Sequence, residues 1–417
     1  MEYKITQMKN AFYAQSGGVT SVINTSAYGV ISELSRLDKS INVYAGQNGI
    51  IGLLENNLYD LSKTKKDLSL LKDSPAGMFG SCRYKLPELT EKEFYEDLFK
   101  RLDQKSIRYF FYNGGNDSAD TCLKVAEAAK DQGYELSAIA VPKTIDNDLA
   151  VTDNCPGFGS VAKYIATSSK EASLDIRSMC KTSTKVFILE VMGRHAGWIA
   201  ASAELANSSE DTLVHKILLP EVQLDKDAFL DGIQNDVKNY GYSVVVASEG
   251  LKNNDGNLYA ASNSKDSFGH TQLGGLAPKL AQLIHNELKL KYHWSVSDYL
   301  QRIARHLASK TDLDQAYAVG EHAVKLAIAG KTALMPIIKR TSDSPYKWKI
   351  ATAPLKNVAN IEKTMPKKFI SKNGFEITQA GKTYLSPLIK GEAPITYVNG
   401  LPDVAELKKV KVEKKLN

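Results

Sequence analysis

Five short apolar runs in this 417-residue chain each stop abruptly at glycines or at a polar cluster, and that recurrence restricts the fold more than any other feature. The runs begin near residues 10, 108, 136, 185 and 242. They empty into SGG at 16–18, NGG at 113–115, PKTIDND at 142–148, MGRHAGW at 192–198 and SEG at 248–250. Helix-like amphipathic stretches occupy 22–34, 117–132, 161–179 and 228–240, with two more at 276–290 and 314–329. Continuous apolar runs suit strands buried on both faces, and strands alternating with helices imply parallel sheets joined by right-handed crossovers. There are more elements than one sheet comfortably holds. The expectation is an α/β chain of two similar doubly wound, Rossmann-like domains with the active site in the cleft between them. Residues 340–417 read as short strands and turns, and no internal repeat is strong enough to align by eye.

Composition excludes several classes. With 43% hydrophobic and 24% charged residues the chain is an ordinary globular one, neither fibrous nor disordered. The formal charge of +6 suits an anionic small-molecule substrate, but much of the excess lies in the tail LKKVKVEKKLN, which reads as a solvated end rather than a nucleic-acid patch. No window approaches the roughly 20 apolar residues of a membrane span, and MEYKITQMKN has no signal-peptide pattern. Cys82, Cys122, Cys155 and Cys180 show no metal-ligand or CxxC spacing and read as reduced thiols. A cytoplasmic enzyme with no membrane or nucleic-acid partner is expected.

The chemistry concentrates at the strand ends, where open α/β sheets bind ligands. PKTIDND places Lys143, Thr144, Asp146, Asn147 and Asp148 directly behind the run LSAIAV. Two strand–glycine-turn–helix units, at Gly17–Gly18 and at 114–115, have the layout in which backbone N–H groups approach an anion at a helix start. A phosphate site follows.

These motifs, taken in order, resemble the phosphofructokinase family, and within it the pyrophosphate-dependent branch. The resemblance covers roughly residues 9–340 and adds GSCRYKL at 80–86, GHTQLGG at 269–275 and YLQRIARHLASKTD at 299–312 to the motifs already quoted. It implies phosphoryl transfer to the 1-hydroxyl of fructose 6-phosphate, which needs a base, cations on the moving phosphoryl group and rigid positioning. Asp146 matches the family's proton acceptor. Lys143 stands where ATP-using relatives usually have glycine, and Asp117 stands where their GGDGS pattern has its last glycine. Both substitutions crowd a nucleoside and favour pyrophosphate, and the carboxylate of Asp117 is placed to pair with Lys143.

On the donor side the resemblance further implies Gly17 and Gly18 as phosphate-binding backbone and Arg83 as the bridging guanidinium. Asn116 departs from the family's usual GGD, where a carboxylate belongs to the magnesium shell. Magnesium is therefore expected near Asn116 and Asp117, through water or with Asp148. On the sugar side Thr144, Asp146, Asp148, Met192, Gly193, Arg194 and Glu249 match substrate contacts, with Tyr299 and Arg302 holding the sugar phosphate. GHTQLGG has Leu273 where the related ATP-user signature has arginine, so His270 reads as structural. His195 fits either a place near the ligand or a hydrogen-bonded turn. Lys185 matches a basic position that reaches a neighbouring subunit's pocket, implying a homodimer or homotetramer, and His293 stands where relatives often have arginine.

Two divisions of labour follow. Residues 1–157 with about 300–345 form the pyrophosphate and magnesium domain, and 158–299 with about 346–417 form the sugar-phosphate domain. The alternatives are an ATP-dependent 6-phosphofructokinase that swings Lys143 aside, or a catalytically silent sugar-phosphate-binding subunit, motivated by Asn116.

Overall fold

All five apolar runs are strands in the computed structural model, which describes residues 9–64, 68–265, 271–404 and 410–412. They are Asn10–Ser16, Ile107–Gly114, Ser137–Pro142, Val186–Val191 and Ser243–Ser248. The first three lie side by side and parallel, with Gln15 opposite Asn113 and Gly114 opposite Pro142. That register is what delivers both glycine turns and PKTIDND to the same edge.

Alternation along these strands explains their unbroken apolar character. Phe12, Phe110, Tyr112 and Ala140 point into a layer with Leu98, Leu102 and Val125. Tyr13, Phe111, Ile139 and Val141 point the other way, against Val30, Leu34, Val319 and Val324. A strand covered by helices on both faces has no solvent side to make polar.

The full first sheet runs Tyr346–Pro354, Leu334–Asp343, Ser137–Pro142, Ile107–Gly114, Asn10–Ser16, Val43–Gly46, Leu58–Asp60, with the short Ser81–Cys82 strand parallel to the end of Asn10–Ser16. The second sheet has four parallel strands in the order Tyr292–Val296, Val186–Val191, Ser243–Ser248, Lys216–Leu218. One face packs Ile188, Val245 and Ala247 on Phe229 and Leu280 from helices Lys226–Tyr240 and Leu276–Leu288. The other packs Leu189, Val244 and Val246 on Phe158, Val161 and Ile165 of the long helix Phe158–Met179.

The C-terminal stretch is divided between the two sheets, where residues from 346 onward were expected with the second. Strand Tyr346–Pro354 pairs antiparallel with Leu334–Asp343 in the first sheet, because a tight turn leaves a hairpin no other partner to reach. Val410 and Val412 also return to the first sheet, exchanging backbone bonds with Asp60 and Leu58. Between these, Met365, Phe369, Ile377, Leu385 and Leu388 enter the second core. The four cysteines are free thiols. Among the described residues no helix is long and apolar enough to cross a membrane.

Candidate active site

The strand ends of both sheets border one cleft with a cavity of about 640 Å³. Gly17, Gly18, Arg83, Asn116 and Asp117, expected on the donor side, line it together with Lys143, Thr144, Asp146 and Asp148. Met192, Arg194, Glu249, Tyr299 and Arg302 complete the wall from the second sheet's side. These residues, from seven separate segments, thus converge on one space.

The wall expected to take the donor is assembled largely by bonds to backbone atoms. Gly17 donates to Cys82 O at 2.9 Å while Ser81 Oγ donates to Gly17 O at 2.7 Å, which sets Arg83 beside the glycine turn. Lys143 N–H bonds Gly114 O at 3.0 Å, and its buried ammonium donates to Gly18 O at 2.6 Å. The one lysine therefore ties both glycine turns together. The expected pairing of Lys143 with Asp117 is not made: Asp117 is exposed at the start of helix Asn116–Asp131, while the lysine points inward to Gly18.

Charge is crowded around the PKTIDND turn. Burial pulls the Lys143 ammonium down to about 8, with Arg83 and Arg302 adding to the effect and Asp146 opposing it. Burial pushes the Asp146 carboxyl up to about 7, reinforced by Asp148 and Glu249 and resisted by Lys143 and Arg83. Asp148 is raised as well, chiefly by burial. The turn is held rigid: Asp146 N–H donates to Thr144 Oγ1 at 3.0 Å, and Asn147 both donates to Tyr384 Oη at 2.9 Å and accepts from Cys155 N–H at 3.0 Å. Asp146 thus has a fixed position and a pKa near neutrality, the condition of a general base.

Two interlocked turns form the far wall. Gly193 N–H donates to Glu249 Oε1 at 3.4 Å and Ser248 Oγ donates to Gly193 O at 2.6 Å. A Cβ on Gly250 would stand 2.0 Å from Arg194 O, so MGR and SEG require glycine where their backbones meet. Met192 N–H is held by Gln301 Oε1 at 3.4 Å, which links this wall to YLQR. Burial raises the Glu249 carboxyl, while the Gly193 N–H and Arg194 lower it. Arg302 reaches further than its sugar-side placement implied. Its guanidinium stacks 4.0 Å from the centre of the Tyr299 ring and lies 3.2 Å from where a Cβ on Gly18 would be, so it spans the two walls.

Two expected residues are not in the cavity wall. Gly193 acts from behind it, through the bonds just given. Lys185 precedes strand Val186–Val191 and bonds Cys180 O, at the opposite end of the strand from Met192. Six strand residues separate them by about 20 Å. His293 lies at that same far end, opposite Phe187, and His270 is outside the described residues. The wall also contains residues the sequence did not single out, Asn360 and Glu362. His195 lines the cavity too, and its Nδ1 is 2.7 Å from Glu362.

No cluster of three His, Cys, Asp or Glu side chains surrounds a metal position among the described residues. Asn116 Oδ1 and Asp148 Oδ1 are nevertheless buried without a hydrogen-bond partner there, and Asp117 offers a carboxylate at the same end of the cleft. A sparse oxygen set of this kind fits magnesium, which keeps several waters and binds through one or two carboxylates and substrate phosphates.

Residues 10–327 match the family model for phosphofructokinase. The chain belongs to the phosphofructokinase family. Among its curated relatives are the pyrophosphate–fructose 6-phosphate 1-phosphotransferases of Halomonas elongata, 58% identical, and Methylococcus capsulatus, 54% identical, each over 98% of both chains. The crystal structure of pyrophosphate-dependent phosphofructokinase from Nitrosospira multiformis superposes with a TM-score of 0.91 at 52% identity, covering 98% of this chain and 99% of that one. The two Rossmann-like halves expected from the alternation of strands and helices are the architecture found.

Proposed function

We propose that this phosphofructokinase catalyses the reversible transfer of a phosphoryl group from diphosphate to the 1-hydroxyl of D-fructose 6-phosphate, giving fructose 1,6-bisphosphate and phosphate. The observation that carries it is the placement of Asp146 and Lys143 on one rigid turn, in a cleft whose donor wall already holds a buried lysine where a nucleotide would need room. Relatives named for this reaction at 54–58% identity support it.

In this scheme the donor phosphates lie against the backbone of Gly17 and Gly18, with Arg83 and Lys143 on their oxygens. The sugar lies against Met192, Arg194 and Glu249, and Tyr299 and Arg302 hold its phosphate. Asp146 accepts the 1-hydroxyl proton as the oxygen bonds to phosphorus, and the bond to the leaving phosphate breaks. Lys143 and Arg83 stabilise the charge that collects on that phosphate. In the reverse direction Asp146 returns the proton. Thr144 and Asp148 position the turn. Magnesium, held by Asn116 and Asp117 with Asp148 nearby, would neutralise charge on the donor oxygens.

The first sheet is the donor domain and the second the sugar domain, with the C-terminal stretch shared between them. A homo-oligomer accounts for Lys185, which is too far from its own cleft to act there. The second sheet's edge strand supports the same reading: Trp294 and Val296 are exposed apolar groups on an edge unpaired among the described residues, and Tyr299 and Leu300 are exposed in the helix that follows. The free thiols support a cytoplasmic setting.

The purified protein, given fructose 6-phosphate and magnesium, is expected to form fructose 1,6-bisphosphate with pyrophosphate. Turnover with ATP alone would establish an ATP-dependent enzyme instead, and sugar binding without turnover in either donor would establish a silent subunit.

A further inference from the structure

We infer that the segment 358–363 is a third determinant of the phosphoryl donor, a strap lying where a nucleoside would extend from the outer phosphate. The inference depends on the pyrophosphate reading above and adds a barrier that neither Lys143 nor Asp117 supplies.

The strap is fastened at three places. On the donor helix Asn116 Nδ2 donates to Ile361 O at 2.9 Å, and Asn360 Nδ2 donates to Asp120 Oδ1 at 3.0 Å. Positions 116 and 120 are one turn apart on one helix face, so the strap runs along that face. At the catalytic turn Lys363 N–H donates to Asp148 O at 2.7 Å, and its ammonium donates to Thr152 O and Asp153 O. On the sugar domain Glu362 meets His195 at 2.7 Å and Trp198 Nε1 donates to Lys363 O at 3.3 Å.

This arrangement closes one direction of the cleft. Phosphates seated at Gly17, Gly18 and the start of helix Asn116–Asp131 would send a nucleoside outward past Asp117, and Asn360 and Glu362 stand in the wall there. Pyrophosphate ends before that point. The strap also explains why position 116 is an amide: its N–H bonds the Ile361 carbonyl, whereas a carboxylate would set oxygen against oxygen. Asn360 holds its reach by a left-handed backbone, φ +59°, which asparagine tolerates.

The test uses ADP as a probe of the nucleoside path, titrated calorimetrically into the full-length protein. The backgrounds are wild type, Asp117→Gly/Lys143→Gly, and that pair combined with Asn360→Gly/Glu362→Ala. The pair alone is expected to bind ADP at least about tenfold more weakly than the fourfold variant, with ATP turnover following the same order. Equal ADP affinity in the two would overturn the strap's role. If the fourfold variant loses its cooperative thermal transition, Asn360→Gly in the paired background decides, since glycine accepts the left-handed backbone; it is expected to tighten ADP about threefold, and no change would overturn the inference. Wild type inert with pyrophosphate would refute the donor assignment itself, a result separable from the ADP titrations.

Discussion

The Lys143 ammonium lies 2.6 Å from the carbonyl oxygen of Gly18, so the residue read as selecting the donor also holds the loop proposed to cradle it. Replacing it removes a charge from the leaving phosphate and a tie from the loop. Lys143→Met is expected to lower kcat/KM for pyrophosphate by about 100- to 1000-fold. Steady-state kinetics at saturating sugar phosphate measure it, and a loss under tenfold would remove Lys143 from the donor site.

A pH limb should accompany this residue. Burial brings the ammonium to about 8, so in the free enzyme it is charged below that pH and neutral above it. A bound anion favours the charged form, so binding weakens as pH rises through about 8. The KM for pyrophosphate is expected to climb by about tenfold per pH unit above this point, once the lysine is mostly neutral. The limb should vanish in Lys143→Met; its survival there would assign it to another group.

Asp146→Asn keeps the shape of the turn and removes the proton acceptor. A fall in kcat of about 100- to 10,000-fold is expected with KM for both substrates within about threefold, since the proposed base would act in the transition state. Isothermal titration with fructose 6-phosphate provides the check on binding. Weakened sugar affinity with near-normal kcat would contradict a base.

How much of this was legible in the sequence depends on whether contacts follow local pattern. Strands such as Ser137–Pro142 and Val186–Val191 were readable because burial on both faces leaves an uninterrupted apolar run. Strand Tyr292–Val296 was not, because it is an edge strand with four exposed residues and therefore no run to see. Asn360 and Glu362 were invisible for a different reason. They reach the cleft through bonds to Asp120 and His195, more than 160 residues away, and no periodicity encodes such a pairing. Position 116 shows the same limit: as a departure from a motif it read as a change in the magnesium shell, and the bond from its amide N–H to the Ile361 carbonyl is a contact no motif encodes.

Gly250 tests the sugar wall without touching substrate. A Cβ there would meet Arg194 O at 2.0 Å and its carbonyl carbon at 2.6 Å, both backbone atoms that cannot swing aside. Gly250→Ala is expected to destabilise the protein by about 1–3 kcal/mol and to raise the KM for fructose 6-phosphate more than that for pyrophosphate. Thermal unfolding and paired KM measurements report the two effects. Equal KM increases for both substrates would mean that the two turns do not shape the sugar side separately.

His215 provides a pH test of stability far from the cleft. Its ring is buried between Tyr240 and Tyr242, and Nδ1 accepts the Val244 N–H at 3.1 Å, which requires that nitrogen to be unprotonated. Burial holds its pKa down at about 4, against about 6.5 for a free histidine. Between those values the unfolded chain binds the extra proton and the folded one does not, so stability rises with pH across the window and is lost as pH falls from about 6.5 toward 4. The loss amounts to at most about 3 kcal/mol. His215→Phe fills the same space between the tyrosines and has nothing to titrate. Its melting temperature is expected to start lower at pH 7, because the Val244 N–H loses its acceptor, and to fall less steeply than wild type down to pH 4.5. Parallel slopes for the two proteins would show that His215 is not the group that charges.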